Sequence, residues 1–389
     1  MTENKASENA LPPLSFYLHF PWCVRKCPYC DFNSYAVRSA HPEPRFREYL
    51  EALRSDISSQ VPLAAGRPLA SIYLGGGTPS LLPSAFVGEI LGLLSESFAL
   101  SKDCEISMEA NPGTVAKDYF PALKASGVNR VSLGVQSFQN ENLARIGRIH
   151  DAFAAFEAVE SASAAFSNFN IDLMFALPGQ DMLNLGRDLK AALSCGAPHL
   201  SYYELTLEKG TLFGKKPPSG LPDADQAFFM QEEVEKTLSG NGYERYEVSG
   251  YAKDGAYCRH NLNYWSFGDY LAAGAGAHGK ISRISRSGCL EVSRCVHHSS
   301  PGRYLADPAP IFRRVPQKDL PFEFMLNALR LTDGVPSEFF TERTGISLGN
   351  LAALMEKAQK TGLLQNSPDR IAATPKGRLF LSDLQELFL

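Results

Sequence analysis

Pro21-Trp22-Cys23-Val24-Arg25-Lys26-Cys27-Pro28-Tyr29-Cys30-Asp31-Phe32 places three cysteines at C-x3-C-x2-C, immediately after the apolar run Ser15 to Phe20. Thiolates are soft ligands that suit iron–sulfur clusters, zinc and copper(I). A structural zinc site wants a fourth ligand, and the nearby histidines, His19 and His41, have neither finger nor ribbon spacing. Three thiolates on a four-iron cube leave one iron open, and an open metal position binds a chelating molecule. Taken alone, the cysteines leave cluster and zinc both standing. The motifs downstream favour a [4Fe-4S] cluster on Cys23, Cys27 and Cys30.

Outward from this loop, β-branched and aromatic runs recur at Ser15 to Phe20, Ala70 to Leu74, Glu105 to Ala110, Arg130 to Val135, Asn170 to Phe175 and His199 to Leu205. Helical patterns lie between them, at Pro44 to Gln60, Ala85 to Phe98, Ala116 to Ala125, Ala152 to Ala165 and Leu183 to Leu193. This alternation predicts an α/β fold of parallel βα units with functional loops at the carboxyl ends of the strands. Six units are too few for a closed eight-stranded barrel, so we expect an open, partial (β/α)6 TIM-like barrel; a doubly wound sheet would give the same linear pattern. Boundaries are expected after a polar tail at 1–14, after the barrel at 15–215, and after a β-like, Gly- and aromatic-rich extension at 216–312. The remainder, 313–389, reads helix, helix, helix, hairpin, the order of a winged-helix-like module. Its third helix carries few basic residues, which points to packing or partner docking and away from DNA.

Composition sets outer limits. The 389 residues are 44% apolar and 21% charged, with a formal charge of -4, an ordinary balance for a globular chain. No global basic field of the kind that drives nucleic-acid binding is present. The amino terminus has no apolar run before a small-residue cleavage site, and no stretch approaches the roughly 20 apolar residues of a membrane span. A cytoplasmic protein is expected, a reading compatible with peripheral membrane contact. The five other cysteines, Cys104, Cys195, Cys258, Cys289 and Cys295, are scattered and read as core or surface thiols.

Polar residues interrupt or cap the strand runs. Gly75-Gly76-Gly77-Thr78-Pro79 ends the second, where glycines let backbone amides approach a ligand. Glu109, Gln136 and Asp172 occupy the next three, and Arg148 follows Gln136 by twelve residues. Buried polar groups need partners, and a polar ligand supplies them.

With these motifs in order, the chain resembles the radical S-adenosylmethionine proteins, in which C-x3-C-x2-C follows the first barrel strand. That resemblance implies that the amino acid part of S-adenosylmethionine chelates the open iron, and that one-electron reduction cleaves the sulfonium to methionine and a 5′-deoxyadenosyl radical. An electron donor such as a flavodoxin or ferredoxin follows from it. At nearly full length the chain is similar to the oxygen-independent coproporphyrinogen III oxidase-like group. There, Tyr17 matches a tyrosine beside cofactor and cluster, and Tyr29 an aromatic near adenine. Gly76, Gly77 and Thr78 match the loop at the methionine amino group, Arg148 a carboxylate-binding arginine, and Glu109, Gln136 and Asp172 further cofactor contacts.

Two features set the chain apart within that group. The true oxidase has a cysteine two positions after the third ligand, where this chain has Phe32, and it has a long amino-terminal arm, where about a dozen residues precede the first strand here. His260-Asn261-Leu262-Asn263-Tyr264-Trp265 fits the H-N-x-x-Y-W motif of the heme chaperone branch. Tyr246-Glu247-Val248-Ser249 and Gly274-Ala275-Gly276-Ala277-His278-Gly279 are also similar to that branch. His260 beside Tyr and Trp could offer an axial nitrogen to heme iron and flat rings to the macrocycle, with His278 as a second candidate; a packed strand end is the alternative. The resulting expectation is a protein that binds heme and passes it to apo-hemoproteins, respiratory ones among them, without oxidase activity. A coproporphyrinogen dehydrogenase and a winged-helix redox regulator are the competing readings.

Overall fold

Strand β1 (Leu14–Phe20) shows why this half of the chain forms a layered sheet. Its even-numbered residues, Leu14, Phe16, Leu18 and Phe20, are all buried in the main apolar core with helix α1 (Glu43–Gln60), each contributing about 1.5–3 kcal/mol of burial. Its odd-numbered residues turn to the opposite face, as the period of two requires. The computed structural model describes residues 11–37, 42–116 and 118–389, so His41 and residues 1–10 of the expected tail lie outside the described residues.

Strands β2 (Leu69–Gly76), β3 (Leu100–Ala110), β4 (Arg130–Gln136), β5 (Phe169–Phe175) and β6 (His199–Glu204) follow in the expected order. Helices α2 (Ser84–Ser97), α3 (Tyr119–Ala125), α4 (Ala152–Ala165) and α5 (Met182–Ser194) connect them. Asp151 and Asp181 start α4 and α5 by accepting backbone N–H bonds from Ala154 and Asn184. Each strand pairs in parallel with the next, β1 to β6.

The extension is woven into the same sheet. Helix α6 (Ala224–Gly240) opens on a reciprocal Asp223–Gln226 capping box. Strands β7 (Glu244–Arg245) and β8 (Gly250–Ala252) then add antiparallel to the β6 edge. On the other edge β9 (Asp269–Ala273) lies parallel to β1, followed by the antiparallel β10 (His278–Ile284), β11 (Leu290–Val296) and β12 (Ile311–Arg314). The order is β12-β11-β10-β9-β1-β2-β3-β4-β5-β6-β8-β7, linear and therefore open at both edges.

Between β8 and β9 the segment expected to be β-like is instead a short helix, α7 (Arg259–Trp265). The Glu105 carboxylate on β3 accepts the backbone N–H groups of Arg259 at 3.2 Å and His260 at 3.3 Å. Amides that would be orphaned at a helix start are thus satisfied from across the sheet. A buried ionic cluster fixes β9 and β10: Lys280 Nζ donates to Asp269 Oδ1 at 2.9 Å, and Arg67 to Asp269 Oδ2 at 2.7 Å.

In the last segment are helices α8 (Leu320–Ala328), α9 (Glu338–Thr344) and α10 (Ala352–Lys360); Val335–Pro336, between α8 and α9, pairs with Arg370–Ile371 after α10, and a bridge joins Leu364 to Ala373. Two unforeseen short helices follow, Pro375–Leu379 and Leu381–Glu386. The apolar core here joins Phe324, Phe340 and Leu384 to Tyr246, Phe267 and Val292, so packing runs across the expected boundary after residue 312. Among the described residues no helix is long and apolar enough to cross a membrane.

Candidate functional site

The interior of an ordinary α/β barrel is filled by Val, Ile and Leu. Here the inward positions are polar. Ser71 bonds Ser15, Tyr73 bonds Glu109, Ser132 and Asn170 bond Asp172, and Tyr203 bonds Gln136. Such a lining demands partners, and it opens at the carboxyl ends of the strands into a cavity of about 420 Å³.

The cysteine loop forms one wall of this cavity. Its two ends are tied together by parallel pairing of Trp22–Cys23 with Tyr35–Ala36. Arg25 donates to the Gly147 carbonyl at 2.6 Å, and the Phe213 amide to that of Pro28 at 2.9 Å, pinning the loop to two other elements. Cys23, Cys27 and Cys30 all line the cavity. Burial pushes the Cys23 and Cys30 thiols up, while hydrogen bonds, from Thr78 and Ser34 to Cys23 and from Ser34 to Cys30, pull the other way.

Opposite the cysteines, the glycine loop is shaped by close approach. A Cβ on Gly77 would lie 2.6 Å from the Trp22 carbonyl oxygen, and one on Gly76, whose φ is +112°, would strike the His19 ring. The Gly76 amide donates to Glu109 at 3.1 Å and Tyr73 hydroxyl donates to it at 3.0 Å. Burial, with the nearby Asp172 carboxylate adding to it, raises Glu109 from 4.5 to about 7. Burial also raises Asp172, against hydrogen bonds from Ser132, Ser201 and Asn170. Two carboxyls in such surroundings are relieved by a cation between them. Gln136 holds a φ of +72°, an unusual conformation for a side chain other than glycine and one that concentrates at functional sites. Arg148 lies along the cavity, donating to Tyr29 and Cys27, and its buried Nε has no partner.

The structure thus brings together the three cysteines, Tyr29, Gly77, Thr78, Glu109, Gln136, Arg148 and Asp172 around one cavity. Tyr17 and Gly76 line a second cavity of about 430 Å³ that shares Asp31, Phe32 and Glu109 with the first. His260 lines neither. It is 2% exposed, its Nδ1 lies 2.9 Å from Ser71 Oγ, its ring stacks 5.0 Å from Tyr73, and its Nε2 is buried without a partner. Held there by the Glu105 cap on α7, it lies outside the lining of both cavities. Tyr73, Ser132 and Tyr203, all cavity-lining, were missed; alternation along β2, β4 and β6 was the signal that could have found them.

Three soft thiol donors beside a glycine loop, a raised carboxyl pair and a guanidinium whose Nε is unpartnered fit an iron–sulfur cluster with S-adenosylmethionine alongside, and define a radical S-adenosylmethionine-type protein. Residues 17–191 match the Radical SAM superfamily model, and residues 315–380 the HemN C-terminal domain model. A solved structure of coproporphyrinogen III oxidase (HemN) from Escherichia coli shares the fold, with a TM-score of 0.80 over 97% of this chain and 90% of that one at 24% identity. The Escherichia coli K12 protein named heme chaperone HemW is 43% identical over 97% of this chain and 99% of its own length. The HemW of Bacillus subtilis strain 168 is 34% identical over 96% and 99%. The chain belongs to the HemW family.

Proposed function

We propose that this protein is a heme chaperone, which binds heme and delivers it to apo-hemoproteins, respiratory ones among them, in the cytoplasm. Near-full-length kinship at 43% identity with a protein bearing that name carries the reading. Phe32, 55% exposed at the mouth of both cavities where the oxidase has a cysteine, supports it.

In this reading Cys23, Cys27 and Cys30 hold a [4Fe-4S] cluster, which supplies an open iron and a one-electron couple when bound. Gly76, Gly77 and Thr78 face the amino group of S-adenosylmethionine, with Glu109 as acceptor of its N–H. Arg148 offers charge-assisted hydrogen bonds to the carboxylate. Gln136 and Asp172 bind the ribose side, and Tyr29 and Tyr17 flank the cofactor. A flavodoxin- or ferredoxin-type protein is the electron donor, and peripheral contact with a membrane brings the chaperone to its recipients.

The test is anaerobic. Cluster-loaded protein should bind heme and reconstitute an apo-hemoprotein, while producing no protoporphyrinogen from coproporphyrinogen. Robust decarboxylation would transfer the assignment to a coproporphyrinogen dehydrogenase.

A further inference from the structure

We propose that the second cavity is the heme seat and that His278, at the start of β10, is the axial ligand of the iron. This inference rests on the chaperone reading and specifies where in the molecule the cargo sits.

The cavity of about 430 Å³ lies within the roughly 300–1,000 Å³ of ordinary ligand sites. Tyr17, Tyr264, Tyr270 and Phe32 give it aromatic walls, the surface a flat macrocycle buries best. His278 is exposed at its edge, and among the described residues neither of its ring nitrogens has a hydrogen-bond partner. The other histidine of this cavity, His19, is committed on both sides, with Nδ1 2.8 Å from Tyr17 Oη and Nε2 2.8 Å from the Asn33 carbonyl oxygen. His260 is buried against Ser71 and Tyr73 and lines neither cavity.

Metal coordination needs a ring nitrogen that no other group engages, and His278 keeps both open. A site with one protein ligand and an open face suits a cargo that must be given up.

Hemin is added to cluster-loaded wild type, His278→Ala and His260→Gln, and the Soret band and the rate of heme loss to apomyoglobin are recorded. His278→Ala should shift the Soret band and release heme about tenfold faster or more, since affinity changes fall mainly on dissociation. Added imidazole should restore the band, which a purely structural defect would not allow. His260→Gln should leave the band where it is. A wild-type spectrum in His278→Ala, or a shift confined to His260→Gln, overturns the assignment while leaving the chaperone reading intact. Failure of wild type to bind hemin at all overturns that reading itself. His278 is exposed, so cluster content unchanged in His278→Ala certifies the fold.

Discussion

Glu109 holds its proton up to about pH 7 because it is buried beside a second carboxyl, with only Tyr73 and the Gly76 amide to steady the charge. The folded chain binds that proton more tightly than the unfolded one, so in the cofactor-free protein this residue makes stability fall as pH rises from 4.5 through about 7. An amino N–H donor at the glycine loop reverses the preference, since it favours the ionised carboxylate. S-adenosylmethionine affinity should therefore rise by roughly an order of magnitude between about pH 6 and pH 8, the range over which the carboxyl ionises. Glu109→Gln should bind more weakly and with a flat profile in calorimetric titration; a wild-type slope in that variant would remove Glu109 from the cofactor's amino group. Glu109, Gln136 and Asp172 were legible because a polar residue in an apolar strand run calls for a reason. Tyr73 and Tyr203 were not, since an aromatic in a strand satisfies β-propensity whichever face it takes.

Among the connecting elements, the glycine loop is the one whose geometry leaves least latitude. Its amides at Gly77 and Thr78 donate to the carbonyls of Phe20 and Trp22 at 2.7 and 2.8 Å, so it is stitched to the chain entering the cysteine loop. Gly77→Ala puts a methyl against the Trp22 backbone, which cannot yield as a side chain can, and should cost about 1–3 kcal/mol. S-adenosylmethionine binding should drop with it. Undiminished binding and an unchanged denaturation midpoint would show that the loop relaxes freely. Helix α7 teaches the converse about reading sequence. Seven residues carry too little periodicity to declare a helix, and the group that caps it, Glu105, lies some 150 positions earlier, so nothing local announces it.

At the scale of the molecule, the six βα units were legible because each is written locally as a run and a periodic helix. The capture of β9 by the free side of β1 was not, because that pairing joins Leu14 to Asp269 across most of the chain. The Asp269 cluster holds this graft. Despite burial, Lys280 and Arg67 keep Asp269 below the usual carboxylate range. Lys280→Met leaves a buried carboxylate with one partner fewer and should cost about 3 kcal/mol in chemical denaturation. Stability equal to wild type would show that the graft needs no such anchor. The wall of Asp31, Phe32 and Glu109 common to the two cavities has a thermodynamic consequence of its own. Whatever factor occupancy of one chamber imposes on affinity in the other must be returned in equal measure. With heme in one chamber and cofactor in the other, as proposed, any help or hindrance between them runs equally in both directions.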